Sequence, residues 1–335
     1  MLNRCMIIAE AGVNHNGLII NAKKLIRIAV EAKADFIKFQ IFSANQLAKE
    51  NAPKAKYQKN NSNKKESHFN MLKRLELKES DFEKLIKYSR KLKINFLASV
   101  FSYESLNIIK KNNIDYIKVP SGEITNGPLL KEIGKLKKII FLSTGMSNLK
   151  EIRGALSILV KAGTPKSKIF IMQCNTEYPS PLRDINLNAM ITIKQSFDTK
   201  VGFSDHSIGK ESGIAAVAMG AKVIEKHITI DKKMYGPDHL ASMNKHEFVD
   251  YVMSIRKTEI LLGSGKKIVS KSERKNIKIA RRSIYTNRKI LKGETIDKKD
   301  LIMLRPNVGL SPMQLEKVSG KKSKKNYKKY DLISL

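Results

Sequence analysis

Tryptophan is absent from the 335 residues, and only two cysteines occur, Cys5 and Cys174. Two cysteines make neither a disulfide framework nor a zinc knuckle. With no tryptophan and no basic stripe interleaved with aromatics, a stacking platform for nucleic-acid bases is not expected. No apolar run is long enough to suggest a membrane-spanning helix. Glu10 interrupts the N-terminal MLNRCMIIAEAG, whose apolar part is too short for a secretory signal, so a cytoplasmic location is expected. Acidic residues are scarce too: 31 Asp and Glu stand against 64 Lys and Arg, a formal net charge of +33. A polyanion partner is one reading of that excess. The lysines are scattered through every predicted helix, however, which reads as solvated faces in a Lys-, Asn- and Ile-rich composition. Neither nucleic acid nor membrane is therefore expected as a partner, although small anions would be drawn toward such a surface.

What is present is a regular alternation. CMIIAEAG (5–12) precedes the amphipathic NAKKLIRIAVEAK (21–33), and ADFIKFQIF (34–42) leads through a polar excursion at 43–70 to DFEKLIKYSRKL (81–92). INFLASVF, IDYIKVPSGE, KKIIFLSTG, KIFIMQCN, KVGFSDHS and AKVIEKHIT follow, each with a helical stretch behind it. Eight strand–helix units by residue 263 is the count and length of a (β/α)8 TIM barrel. A doubly wound open sheet is the rival, but it seldom needs eight regular units. After residue 263 the pattern breaks. Residues 264–279 read as a linker, and 280–335 as a small β-rich domain with turn signals at Lys292-Gly293, Pro306 and Gly309.

Active sites of such barrels lie at the C-terminal ends of the strands. Those ends supply Glu10, Lys38, Gln40, Ser99, Lys118, Ser121, Glu123, Ser143 and Thr144. The last three add Thr176, Glu177, Tyr178, Ser204, Asp205, His206, Glu225 and His227. Lysines and hydroxyls converging on one point suit an anion of phosphate type; the plainer reading is lysines snorkelling into solvent. His206 and His227 end adjacent strands and could share a divalent metal; the plainer reading is two separately hydrogen-bonded histidines. Two histidines disfavour a closed zinc site, and an open Mn²⁺ or Mg²⁺ site completed by water and substrate fits better.

The motifs IIAEAGVNHNG, KVPSGE, STGM, CNTEYPSP, GFSDHS, EKHIT followed by GPDH, and RPNVGLSP, in this order, resemble the phosphoenolpyruvate-dependent sialic acid synthase family. The resemblance covers nearly the whole chain. It implies a TIM barrel with a C-terminal antifreeze-like (SAF) domain. It also implies condensation of phosphoenolpyruvate with the open-chain aldehyde of an N-acylated mannosamine-type sugar, with C–O cleavage and phosphate release. By resemblance His206 and His227 hold the metal. Lys38, Ser99, Lys118, Ser121, Ser143 and Ser204 match phosphoenolpyruvate-binding positions. Glu10, Tyr178 and Asp238 match acceptor-sugar positions, and Glu123 the candidate general acid/base. Arg305 matches an arginine that reaches the partner subunit's site in a homodimer with exchanged C-terminal caps. ASVF departs from the common STPF, so Ser99 stands for a threonine, and Thr176 stands where some members carry asparagine. Two acceptors are open, N-acetylmannosamine and 2,4-diacetamido-2,4,6-trideoxymannose; PKAKYQ and CNTEYPSP lean toward the second, the N,N′-diacetyllegionaminate branch. The alternative is a metal-dependent barrel hydrolase, which would want more carboxylate and histidine ligands. An ice-binding role for the small domain is disfavoured by its lysine-rich surface.

Overall fold

A computed structural model describes residues 4–61 and 66–334 of the protein. The chain forms two compact units, Met1–Ser264 and Gly265–Leu335.

In the first unit eight parallel strands close in sequence order into a barrel. They are β1 (Met6–Gly12), β2 (Phe36–Ile41), β3 (Asn95–Val100), β4 (Tyr116–Val119), β5 (Ile139–Ser143), β6 (Ile169–Cys174), β7 (Lys200–Asp205) and β8 (Val223–His227). The TIM-barrel expectation therefore holds. Side chains alternate across each strand, and here both faces are buried, one against the ring of helices and one inside the barrel. Ile8, Phe36, Leu97, Phe141, Phe170, Met172 and Val223 meet inside as an apolar floor. Each such residue, fully buried, contributes roughly 1.5–3 kcal/mol, which helps to offset the cost of what lies above. Two residues further along each strand the same face becomes polar: Glu10 above Ile8, Lys38 above Phe36, Ser99 above Leu97, Lys118 above Tyr116, Ser143 above Phe141, and Glu225 above Val223. Gly202 on β7 leaves room for the floor, since a Cβ there would lie 2.3 Å from Val223 Cγ1.

The surrounding helices follow from local signals. Ser102, Asn148 and Asn244 begin the helices Tyr103–Lys111, Leu149–Lys161 and Lys245–Leu262, each with a reciprocal capping box. Among its described residues the polar excursion after β2 holds three short helices, Ala44–Leu47, Lys56–Asn61 and His68–Leu75. Met71, Leu72 and Leu75 give the last of these an apolar face, which packs on Val13, Phe42 and Ala44.

In the second unit β9 (Ser283–Thr286) pairs antiparallel with β10 (Leu301–Leu304). Ile284, Ile290, Ile296, Leu301, Val318, Tyr327 and Ile333 form its own small core. Isolated bridges Tyr285↔Leu332 and Ile290↔Tyr327 tie down the lysine-rich C-terminal stretch. Within the stretch read as a linker, Arg274–Ala280 is a helix. No described helix is long and apolar enough to cross a membrane.

Candidate active site

A cavity of about 270 Å³ opens at the C-terminal ends of the barrel strands. Glu10, Lys38, Ser99, Lys118, Ser121, Ser143, Tyr178, Ser204, His206 and His227 all line it. These residues come from seven strands and from the loops after β4, β6 and β7, so closure of the barrel is what brings them together. Asp238 is buried beside them, its Oδ2 3.9 Å from His227 Nδ1.

The floor of the cavity is ionic, and Glu225 is its hub. Both carboxylate oxygens accept from Lys118 Nζ at 2.8 Å. Oε2 also meets Lys38 Nζ at 2.8 Å, and Oε1 accepts from Ser204 Oγ at 2.9 Å. Glu10 stands on the other side of Lys38, at 3.5 Å, and accepts from Gln40 Nε2 at 3.1 Å. Burial would raise the Glu225 carboxyl, but Lys118 and Lys38 outweigh it and hold its pKa well below the usual carboxylate range. Burial also works against the charge on Lys38, but Glu10 and Glu225 outweigh it and hold its pKa above the ordinary lysine value. On Lys118 burial wins over Glu225, and its pKa falls to about 8. Burial lifts Glu10 to about 7, despite Lys38. At neutral pH two lysines thus face one full carboxylate and one partly protonated carboxyl, leaving a surplus of positive charge. Above that floor Ser143 Oγ and Glu10 Oε2 are buried and without a hydrogen-bond partner. Buried polar atoms normally have one, so these are sites for a ligand's atoms.

The two histidines meet edge to face, ring centroids 5.2 Å apart. His206 Nδ1 faces the Asn175 carbonyl and donates to it, which turns Nε2 toward the cavity. Ser204 Oγ and Tyr178 OH lie 3.2 and 3.1 Å from that Nε2. His227 Nδ1 is buried with no hydrogen-bond partner. Burial, reinforced by His206, keeps the His227 pKa well below its ordinary value, so the ring is neutral and a competent ligand. Among the described residues no group of three or more His, Cys, Asp and Glu is arranged around a metal position. Two adjacent imidazoles, one of them neutral with an orphaned nitrogen, fit an open site that water and substrate complete.

Other strand-end residues lie elsewhere. Asp205 points outward, away from the cavity, and binds Ser207, Ser212, Tyr251 and Lys226. Thr144 Oγ1 donates to the Met172 carbonyl, and Glu177 is exposed. Glu123 does not line the cavity; its Oε2 accepts from Asn126 Nδ2 at 2.7 Å. Arg305 is exposed on the second unit. Conversely, sequence marks Glu225 only as one strand-end group among many, and it does not place Cys174, Met146 or the Tyr57 ring in the lining. Tyr57 arrives from the excursion, within the PKAKYQ stretch that leans toward the diacetyllegionaminate branch, but nothing in that stretch marks its ring as a wall of the cavity.

The NeuB family model matches residues 25–267, and the SAF domain model residues 281–334. The chain belongs to the NeuB family. This NeuB-family chain is 46% identical to an N,N′-diacetyllegionaminic acid synthase of Campylobacter jejuni, over 99% of both chains. It is 41% identical to an N,N′-diacetyllegionaminic acid synthase of Legionella pneumophila, over 96% of this chain and 91% of that one. Among solved structures, an N-acetylneuraminic acid synthetase from Leptospira borgpetersenii superposes with a TM-score of 0.73. The two are 34% identical, over 82% of this chain and 90% of that one. The NeuB-family chain is an enzyme, a transferase that forms a carbon–carbon bond.

Proposed function

We propose that this enzyme condenses phosphoenolpyruvate with the open-chain aldehyde of 2,4-diacetamido-2,4,6-trideoxymannose, giving a nonulosonic acid of the N,N′-diacetyllegionaminic type. The observation that carries the reading is the ionic floor: Lys38 and Lys118 bracket Glu225, with Ser143 and Ser204 at its edge. Glu225 serves as counter-ion to both lysines. A phosphate with its carboxylate neighbour would share those cations, with Ser99, Ser121, Ser143 and Ser204 as donors. The names of the two relatives that match nearly end to end support the acceptor.

In this reading C3 of phosphoenolpyruvate attacks the aldehyde carbon, and the aldehyde oxygen takes up a proton. Water adds at C2 and loses a proton. The C2–O bond to phosphate then breaks as the C2 hydroxyl passes its proton to the departing phosphate, leaving a C2 ketone and inorganic phosphate. Mn²⁺ or Mg²⁺ on His206 and His227 would, when bound, supply Lewis-acid polarisation of the aldehyde. Tyr178 and Asp238 hold the acceptor beside those rings. For proton exchange Glu10 is better supported than Glu123. It lies in the cavity with one oxygen unpartnered, and its pKa of about 7 is close to that of an effective acid–base group. Glu123 retains the resemblance but is engaged with Asn126.

The test is turnover with phosphoenolpyruvate and Mn²⁺ against a panel of N-acylated mannosamine-type sugars. The expected kcat/KM for the diacetamido sugar is at least about tenfold above that for N-acetylmannosamine, about 1.4 kcal/mol of transition-state discrimination. The opposite preference would return the enzyme to the N-acetylneuraminate branch; no condensation with any sugar would remove the reading.

The same reading makes the enzyme a homodimer in which Arg305 completes the partner's site. Mixing inactive His206→Ala and Arg305→Ala chains should restore roughly a quarter of wild-type activity through two-fold dimers. No recovery after proven subunit exchange would place Arg305 outside the partner's site.

A further inference from the structure

Tyr57 belongs to the excursion after β2, far in sequence from every strand end, yet its ring lies against Tyr178 with centroids 5.0 Å apart. Tyr178 in turn stacks on His206 at 4.1 Å. The three rings form a continuous aromatic wall from the histidine pair outward. Tyr57 lines the same cavity as the ionic floor, with Met146 and Thr176 also in the lining. The cavity therefore has two chemically different parts. One is the floor of lysines and serines; the other is aromatic, with a thioether beside it.

The segment bearing Tyr57 is anchored. Lys54 is buried, its Nζ 3.9 Å from Glu66, and Glu66 pairs with Arg74 Nε at 3.1 Å on the helix His68–Leu75. Gln58 Oε1 accepts from Ala55 N–H at 3.0 Å, which ties down the first turn of the short helix that bears Tyr57. That helix packs by Met71, Leu72 and Leu75 on Val13 and Phe42. Tyr57 is thus held at the mouth from the side of β1 and β2.

We infer that Tyr57 is a specificity-determining residue: its ring packs on the apolar substituents of the acceptor, the N-acyl and C6 methyl groups. The inference rests on the function proposed above. If the floor takes the phosphoenolpyruvate anion, the second substrate stands toward the mouth, along the aromatic wall. Aromatic faces favour C–H and methyl surface over hydroxyls. A 2,4-diacetamido-6-deoxy sugar carries a second acetyl methyl and a C6 methyl, where N-acetylmannosamine carries hydroxyls. The wall therefore discriminates between them, and the floor does not.

Steady-state kinetics on the full chain, with Mn²⁺ and both sugars, test this. Tyr57→Ala should raise the KM for the diacetamido sugar at least tenfold and leave the KM for phosphoenolpyruvate within twofold. The preference for the diacetamido sugar over N-acetylmannosamine should shrink at least fivefold. Tyr57→Phe should keep the preference, because the ring and not the hydroxyl makes it. Tyr57→Leu, which retains bulk without an aromatic face, should behave like Tyr57→Ala and serves if the alanine variant is poorly folded. Equal losses for both sugars, a rise confined to the KM of phosphoenolpyruvate, or a Tyr57→Phe as impaired as Tyr57→Ala would overturn the assignment. Wild-type enzyme that condenses neither sugar would sink the proposed function itself. Wild-type enzyme that condenses them while Tyr57→Ala keeps the preference would sink only the role of Tyr57.

Discussion

Strands β7 and β8 carry two ionic clusters back to back. Ser204 and Glu225 face into the barrel; their neighbours Asp205 and Lys226 face out. The outer cluster is closed on itself. Asp205 is fully buried and accepts from Ser207, Ser212 and Tyr251, while Lys226 Nζ lies 3.0 Å from Asp205 and donates to the carbonyls of Ser207 and Gly209. Gly213 makes room for this, since a Cβ there would lie 2.0 Å from Tyr251 Oη. The inner cluster is made of the same residue types but is left open, with Glu10 Oε2, Ser143 Oγ and His227 Nδ1 unpartnered. A buried ion pair is no evidence of function by itself. What separates the two clusters is unmet bonding capacity, and that points to the inner one as the place for a ligand.

The comparison breaks most sharply at the histidines. His206→Ala or His227→Ala should lower kcat by on the order of 10³-fold or more, since a metal's Lewis-acid contribution is several kcal/mol. The fold should survive, because both rings sit at the mouth. Mn²⁺ binding followed by electron paramagnetic resonance should weaken in parallel. Unchanged Mn²⁺ affinity in both variants would detach the metal from this pair.

Next come the two lysines. Lys118→Met removes one cation from the open cluster and should cost about 3 kcal/mol of anion binding, roughly 10² in kcat/KM for phosphoenolpyruvate. Lys226→Met strands Asp205 in the closed cluster and should cost about 3–5 kcal/mol of stability, read as a lower midpoint in urea. Its folded fraction should keep the KM for phosphoenolpyruvate. A selective loss of phosphoenolpyruvate affinity in Lys226→Met would erase the distinction.

How much of this contrast was legible in sequence follows from the same strands. The eight apolar runs, each trailed by an amphipathic helix, give the barrel directly. They do not say which neighbour faces inward: strands buried on both faces show no polar alternation, so Glu225 and Lys226 look equivalent. The ring of lysines and serines at strand ends was readable as an anion site. Its hub was not, because that depends on the closure that brings β8 beside β1 and β7. Glu123 shows what a motif leaves open. Its position matches, but Asn126, three residues on, takes its carboxylate. PKAKYQ marks the stretch that bears Tyr57, but the contact of its ring with Tyr178 is set by the packing of a polar excursion and is not readable in sequence.

A smaller effect separates Lys118 from an ordinary surface lysine. Its pKa of about 8 lies below the ordinary 10.5. Only the protonated form attracts the anion, so phosphoenolpyruvate affinity should fall as pH rises through about 8, approaching tenfold per pH unit. Between these two values the unfolded chain binds more protons than the folded one, so the ligand-free enzyme should gain stability over the same rise. Titration calorimetry and urea melts from pH 7 to 10 would show the two trends running in opposite directions. A flat affinity profile, or one unchanged in Lys118→Met, would mean that Lys118 does not carry the anion.

The most direct test follows a single oxygen. Phosphoenolpyruvate labelled with ¹⁸O in its C–O–P bridge is incubated with enzyme, Mn²⁺ and the diacetamido sugar, and both products are analysed by mass spectrometry. The expected result is label in the inorganic phosphate, an unlabelled nonulosonic acid, and no phosphate released without the sugar. Label retained in an organic product would mean P–O cleavage. Labelled phosphate released equally well without acceptor would make the barrel a hydrolase. Either result would contradict condensation on the Lys38–Glu225–Lys118 floor.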